Sequence, residues 1–336
     1  MVDWFEALFG FKETSPREVR ANIELIGNEL HSKANGKSYI IGQLTTPTLG
    51  ELRTEAQEVA KSLKGKLSVV NITGDVRKIH CQQSNSNALF QVASQFNLLE
   101  MVGPNVTPED GVTRYIYDHT QGPVCAMAAG AATVYRNYFA PVGGKTGQTH
   151  DNQLDCLKDV GKALGNTDDS LWEMCNGYAL CTSAGLSKIN EWLKSVDDRE
   201  RDALREQLHI GLHWGVEVTE AEAPLNHYVS QAYCSALPVA YSGLPQSEWA
   251  AFARLILESA YEATLCAAVI NSHNHGSNNL YLTKLGGGAF GNELHWIYDA
   301  MQRAFQIHSN VVLDVRIVSY GAVDSRLEQL AKKWSS

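Results

Sequence analysis

LYLTKLGGGAFGNELHWIYDAMQRAFQIH, residues 280–308, contains a short apolar run (Leu280–Leu285), a seven-residue segment Gly-Gly-Gly-Ala-Phe-Gly-Asn (286–292) and a helix-forming stretch. Strand, glycine loop and helix in that order form a phosphate-site arrangement. Glycine lets the backbone approach an oxyanion, and the first turn of the following helix offers free N–H groups and its positive dipole end. Gly286, Gly288 and Gly291 also satisfy G-x-G-x-x-G, the signature of a dinucleotide-binding unit. That unit normally opens its domain, whereas here only one strand and one helix follow, and Asp314 falls inside the next strand rather than at its end. A third reading, a plain strand-to-helix turn, needs nothing beyond the permissiveness of glycine.

Outward from the loop, 246–272 (QSEWAAFARLILESAYEATLCAAVINS) reads as a long helix, 310–320 as a strand and 324–334 as a closing helix. Nearer the start, SPREVRANIELIGNELH (15–31) opens with a Ser cap and Pro at the first helical position, and TPTLGELRTEAQEVAKSLKG (46–65) opens similarly and closes at Gly65. SYIIGQL (38–44), KLSVVNI (66–72) and LHWGVEV (212–218) read as strands, and 151–165, 181–196 and 197–208 as helices. Alternating strands and helices predict an α/β protein, a three-layer α/β/α sandwich on a mixed central sheet with extra helical elements. The expected organisation is one domain over 1–336: an N-terminal helical extension with one strand (1–65), a ligand-binding core (66–150 and 227–336) and a mostly helical insertion (151–226).

The 336 residues are 44% hydrophobic and 19% charged, which suits a chain with a large core. The formal charge of −9, without a basic stripe, argues against a broad nucleic-acid surface, so an anionic ligand is expected to be held by backbone amides and helix ends. Asp3 and Glu6 stand where a secretory leader carries cations, and no run of eighteen apolar residues occurs, so a soluble protein without an export signal is expected. Seven cysteines without CxxC pairs suggest a reducing, cytoplasmic setting. His209 with His213, and His273 with His275, lack the Cys or carboxylate company of a zinc site, and no structural metal is expected. Cys125, in the small-residue run GPVCAMAAGAATVY, reads as a buried thiol. Trp4, Phe5, Phe9 and Phe11 read as aromatics docked on the body.

Three segments occur in order: GDV at Gly74–Val76 after a strand, FQVASQFNLLE at 90–100, and LTKLGGGAFGN at 282–292. Together they resemble the macrodomain family. TPEDGVTRYIYDHTQGP (107–123), with YRNYF (135–139) soon after, resembles its MavL-like branch, the arginine-specific ADP-ribosylhydrolases, distantly related to poly(ADP-ribose) glycohydrolase. The resemblance covers about 75–320 and implies a macrodomain-like fold that binds ADP-ribose without a cofactor. It implies that Asp75, with Val76 beside it, meets the adenine amino group, and that Gln95 and Asn97 lie at the distal ribose. It further implies that Gly286, Gly287, Gly288, Ala289, Phe290, Gly291 and Asn292 form the second phosphate loop and that Tyr320 borders adenine. The wording ASQFN departs from the commoner NAAN.

Asp110 and Asp118 match the spacing of two acidic residues of the arginine-directed relatives. Cleavage of an N-glycosidic bond passes through an oxocarbenium-like state, so one carboxylate can orient water while another stabilises charge, and a planar guanidinium is best gripped by carboxylates. The expected activity is therefore hydrolysis of ADP-ribose from arginine on a protein, with ubiquitin among the candidate substrates. One alternative is a reader that binds ADP-ribose without turnover. The other is a glycohydrolase acting on O-linked or ribose–ribose bonds with Glu100 as the acid. The glycine-rich stretch 141–153 is expected as a mobile loop that closes over ligand through Gly143, Gly144 and Gln148. The cell compartment is expected to be cytoplasmic, in the protein's own cell or one into which it is delivered.

Overall fold

A computed structural model describes residues 3–334. Its centre is a seven-stranded sheet made of β1 (Gln43–Thr45), β2 (Leu67–Thr73), β3 (Leu89–Ala93), β4 (Gly211–Glu217), β5 (Tyr228–Cys234), β6 (Asn279–Leu282) and β7 (Leu313–Ser319), in the order β1-β4-β5-β3-β6-β7-β2. β4 pairs antiparallel with both its neighbours, and every other pairing is parallel. The registers Ala93↔Cys234, Tyr281↔Phe90, Leu282↔Ile317 and Thr73↔Ser319 bring the carboxyl ends of five strands to one rim. In open α/β sheets that rim is where ligands bind.

The helix Gln246–His275 is buried along most of its length and packs with Leu294–Ile307, Leu49–Val59 and Ser183–Ser195. Val76–His80, Gln121–Ala128 and Gly130–Tyr138 form the helical layer carried by β3 and β4. The layered α/β/α arrangement on a mixed sheet is the one the alternation predicts. The segments expected as an N-terminal extension and an insertion are woven into it, since they supply β1 and β4 respectively.

Three elements differ from expectation. The predicted helix over 15–31 stops at Asn22, and Ile23–Ile26, Glu29–Ser32 and Ser38–Ile40 form a separate antiparallel sheet. The Ile-rich stretch after Asn22 suits a strand, and Gly27-Asn28 supplies the hairpin turn. SYIIGQL is two strands rather than one, broken between Ile40 and Gln43 at Gly42, whose φ is +69°. The stretch 151–165 is helical only over Lys158–Leu164.

The N-terminal helix Trp4–Phe9, capped by Asp3, buries Trp4, Phe5 and Phe9 in a second core with Met127, Val134 and Tyr138. The expected docking of these aromatics is therefore seen, and it braces the segments that wall one side of the site described next. Among the described residues no helix is long and apolar enough to cross a membrane.

Candidate active site

A cleft of about 910 Å³ opens at the carboxyl rim of the sheet. Its walls come from Gly74–Arg77 after β2, Ala93–Gln95 after β3, the loop Thr283–Phe290 after β6, and Tyr320 after β7. Its far end is closed by Glu100–Val102 and by Asp118–Val124.

In the glycine loop, the Gly287 amide donates to Lys284 O, Gly291 to Gly288 O and Asn292 to Gly286 O. The amides of Gly288, Ala289 and Phe290 donate to no acceptor among the described residues, and all three residues line the cleft. A turn that leaves three consecutive donors unused suits an anionic group. Gly286 makes it possible. Its φ is +72°, and a Cβ there would sit 2.4 Å from the Ala236 Cβ. Asn292 and Gly291 do not line the cleft. Asn292 is buried and ties the loop down by donating to Leu237 O at 2.8 Å, while Gly291 packs against Ala240. The cations nearest the cleft, Lys284 and Arg77, are paired with Asp324 and Glu220.

Phe290 packs against Tyr178 and Tyr241, with ring centroids 5.2 and 5.7 Å away, and all three rings line the cleft. Tyr178 and Tyr241 are absent from the sequence expectations. Tyr178 arrives from the hairpin Trp172–Cys175/Tyr178–Cys181 of the insertion, a placement that only the tertiary fold determines. Tyr320 is 90% exposed at the lip, and Asp75 caps the helix Val76–His80 by accepting from the Arg77 amide at 2.9 Å. Val76 is buried beside it, also against the cleft.

The segment Gln95–Met101 is a tight loop closed on itself. Gln95 lines the cleft, but its Oε1 accepts the Met101 amide at 2.8 Å and its Nε2 donates to the Met101 carbonyl at 3.2 Å. Asn97 is fully buried outside the cleft, accepting the Leu99 amide at 3.0 Å and donating to Gln153 at 2.8 Å. The side-chain amides expected at a ribose are therefore spent on the loop and on Gln153.

The loop delivers Glu100. This carboxyl is 2% exposed and lines the cleft, its Oε2 is 3.5 Å from Arg136, and its Oε1 has no hydrogen-bond partner among the described residues. Burial pushes its pKa up to about 7, against the opposing pull of Arg136 and the Tyr115 hydroxyl. Gly122 lets the helix Gln121–Ala128 approach this corner, since a Cβ there would lie 1.9 Å from the Ala93 carbonyl oxygen.

The two expected aspartates part company. Asp118 lines the cleft and accepts the Thr120 amide at 2.8 Å. Asp110 lies outside it, exposed, closing the turn Pro108–Asp110 by accepting from the Thr107 amide at 2.8 Å and facing Arg114. A Thr-Pro-Glu-Asp sequence makes a capped 3₁₀ turn, and that local bonding takes up the carboxylate. Glu100 and Asp75 are instead the carboxyls that share the cleft with Asp118, and of the two Glu100 is the one buried at its far end.

The stretch 141–153 is not a lid over the cleft. Pro141–Val142 and Lys145–Thr146 form a hairpin whose turn residues Gly143 and Gly144 have φ of +54° and +78°, the two positive values a tight two-residue turn demands. Gln148 is buried and donates to Asn97 O at 3.0 Å and Arg136 O at 3.2 Å. Cys125 is buried, and no group of three metal-ligating side chains occurs among the described residues.

No protein-family model and no curated protein matches this chain. Among solved structures it is similar to poly(ADP-ribose) glycohydrolase from Deinococcus radiodurans in complex with ADP-ribose, at 11% identity over 86% of this chain and 90% of that chain, with a TM-score of 0.41. It is also similar to poly(ADP-ribose) glycohydrolase from Thermomonospora curvata bound to the inhibitor ADP-HPD, at 12% identity over 95% of this chain and 96% of that chain, with a TM-score of 0.43.

Proposed function

We propose that this chain is a glycosidase-type hydrolase that binds ADP-ribose in the cleft and breaks an ADP-ribosyl bond at the distal ribose, with Glu100 as general acid and then general base. The observation that carries this reading is Glu100 itself, a buried carboxyl on the cleft wall with one unpartnered oxygen and a pKa raised to about 7. Such a group is poised to give and take a proton near neutral pH. Protonated Glu100 donates to the leaving oxygen as the C–O bond breaks and the ribose becomes oxocarbenium-like. The resulting carboxylate then takes a proton from the attacking water, which restores the acid and releases ADP-ribose. In this reading the loop amides of Gly288–Phe290 hold the diphosphate, and the Tyr178–Tyr241–Phe290 rings border the sugar. The requirement for a protonated Glu100 means that activity declines as pH rises through about 7.

With Asp110 outside the cleft, the geometry favours an O-linked substrate, a modified protein side chain or a ribose–ribose bond, over ADP-ribosyl-arginine. The arginine reading rests on Asp118 alone as the guanidinium partner, and ubiquitin is one protein that would carry such a modification. We assign the reaction to a cytoplasmic setting, in keeping with seven free thiols.

The test is release of ADP-ribose from serine-, glutamate- and arginine-linked peptides and from polymer, by the wild type, Glu100→Gln and Asp118→Ala. The expected outcome is cleavage of O-linked substrate that falls about a thousandfold in Glu100→Gln. Cleavage of the arginine linkage alone, abolished in Asp118→Ala, would replace it with the arginine reading. Micromolar binding of ADP-ribose without turnover of any linkage would make the chain a reader.

A further inference from the structure

Behind Glu100 lies a buried cation. Arg136, in the helix Gly130–Tyr138, is fully buried, and its guanidinium carbon sits 3.8 Å from the centroid of the Tyr233 ring on β5. Its Nε donates to the Leu98 carbonyl at 3.1 Å, and its Nη2 reaches Thr133 Oγ1 at 3.2 Å and Glu100 Oε2 at 3.5 Å. Leu98 has a φ of +64°, a left-handed conformation that costs a branched side chain energy and that something must hold. The bond from Arg136 to its carbonyl does so, two residues before Glu100. Tyr233 is fixed in turn, because its hydroxyl donates to Gln231 Oε1 at 2.5 Å.

We propose that Arg136, bedded on Tyr233, is the positioning residue of the site: it clamps the left-handed Leu98 turn with Nε and faces Glu100 Oε2 with Nη2, so that Oε1 is the oxygen left for chemistry. A planar fork with donors on two edges meets the carbonyl and the carboxylate together, and a lysine does not. The other titratable groups coupled to Glu100 are Tyr115, Cys125 and Tyr233, and burial raises all three away from the neutral range. Arg136 is the charge that opposes the burial of Glu100. This inference rests on the proposed role of Glu100 as the acid.

The experiment compares Arg136→Met, Arg136→Lys and Tyr233→Leu with the wild type in two ways. One is the pH profile of hydrolysis, with kcat and KM separated. The other is the titration of the Glu100 carboxyl carbon by NMR, which needs no turnover. ADP-ribose affinity and thermal melting monitor the fold. In Arg136→Met the basic limb and the Glu100 titration move up together by about one pH unit or more, because an opposite charge is lost from beside a carboxyl. There kcat falls at least tenfold, while ADP-ribose affinity stays within threefold. Arg136→Lys keeps the limb near its wild-type position yet does not recover kcat. Should Arg136→Met not fold, Tyr233→Leu, which unseats the guanidinium while keeping its charge, is expected to lower kcat with the affinity retained. An unmoved Glu100 titration in Arg136→Met, or affinity and kcat falling in parallel across the folded variants, would overturn the positioning role. Loss of the hydrolase reading shows differently, as no wild-type turnover while the Glu100 titration still moves.

Discussion

The imidazole of His80 lies over the ring of Phe90 with centroids 3.7 Å apart, and Phe90 stacks in turn on Tyr281 at 4.5 Å. This sandwich joins the helix that follows Asp75 to the two central strands of the rim. His80 Nδ1–H donates to Val76 O at 2.8 Å, and the Gln231 amide faces Nε2 at 3.2 Å, a pairing that suits a neutral ring.

An acid-sensitive fold follows. Burial depresses His80 to about 4 and pushes His213 and His308 down as well. At His80 the unfolded chain takes up a proton from about pH 6.5 whereas the folded chain resists until near pH 4, and the other two rings act in the same direction, so this stability is complete above 6.5 and lost as pH falls below it. Glu100 acts in the opposite sense. Its raised pKa gives stability that is present below about 4.5 and lost as pH rises through 7. Burial raises Asp155 and Glu217 as well, whereas hydrogen-bonded and charged partners lower Asp159, Asp202 and Glu262, which side with the histidines, and urea unfolding at pH 7.5, 6.0 and 5.0 should show falling stability. In His80→Gln the slope between pH 5 and 6 should flatten by about 1.4 kcal/mol per pH unit, one proton's share. An unchanged slope would mean that His80 titrates normally in the folded chain.

Asp110→Ala should behave as a surface cap mutation. It loses the bonds to Thr107 that close the Pro108–Asp110 turn, with an expected cost of about 1 kcal/mol. Turnover under saturating substrate should stay within twofold of the wild type. A loss of kcat comparable to that of Glu100→Gln would place Asp110 in the chemistry and undo the separation of the two aspartates.

The glycine loop allows a paired test. At Gly286 an added Cβ meets Ala236 at 2.4 Å and Asn292 at 2.7 Å on a backbone with φ of +72°, whereas at Gly288 it meets nothing within 4 Å. Gly286→Ala should lower the melting temperature by several degrees, equivalent to about 2 kcal/mol, and weaken ADP-ribose binding at least tenfold. Gly288→Ala should melt with the wild type. Equal melting of both variants would show that the loop readily relaxes.

Legibility from sequence follows burial. β7 alternates buried and half-buried residues, Leu313 to Ser319, and was readable. β3 and β5, at the centre of the sheet, are buried on both faces, so LFQVA and YVSQAYC carry no period-two pattern and merge with their surroundings. The glycine loop announces itself because its chemistry is local. Glu100 is legible only as a secondary candidate, since the burial that raises its proton affinity, and the Arg136 and Tyr115 groups that oppose it, are brought in by other segments. Asp110 misled because its spacing to Asp118 says nothing about which carboxylate the local turn consumes. Arg136 lies within YRNYF, but no sequence rule marks an arginine as buried.

Glu13 ties the N-terminal segment to the same wall of the site. Its carboxylate accepts the Val112 amide at 3.0 Å, the Thr113 amide at 2.7 Å and the Tyr138 hydroxyl at 2.7 Å. Val112 and Thr113 lead into Tyr115, whose hydroxyl accepts the Glu100 amide at 2.9 Å, and the chain continues to Asp118 in the cleft. Glu13→Ala leaves two amides and a buried tyrosine hydroxyl without their acceptor, an expected cost of about 3 kcal/mol. Because the released segment 112–118 holds Glu100 through the Tyr115 hydroxyl, kcat should fall fivefold or more below the melting transition, while the loop side of the cleft still binds ADP-ribose. Differential scanning calorimetry beside steady-state kinetics checks this. A lowered melting temperature with unaltered kcat would show that the 112–118 wall keeps its place, and Tyr115 its hold on Glu100, without the N-terminal carboxylate.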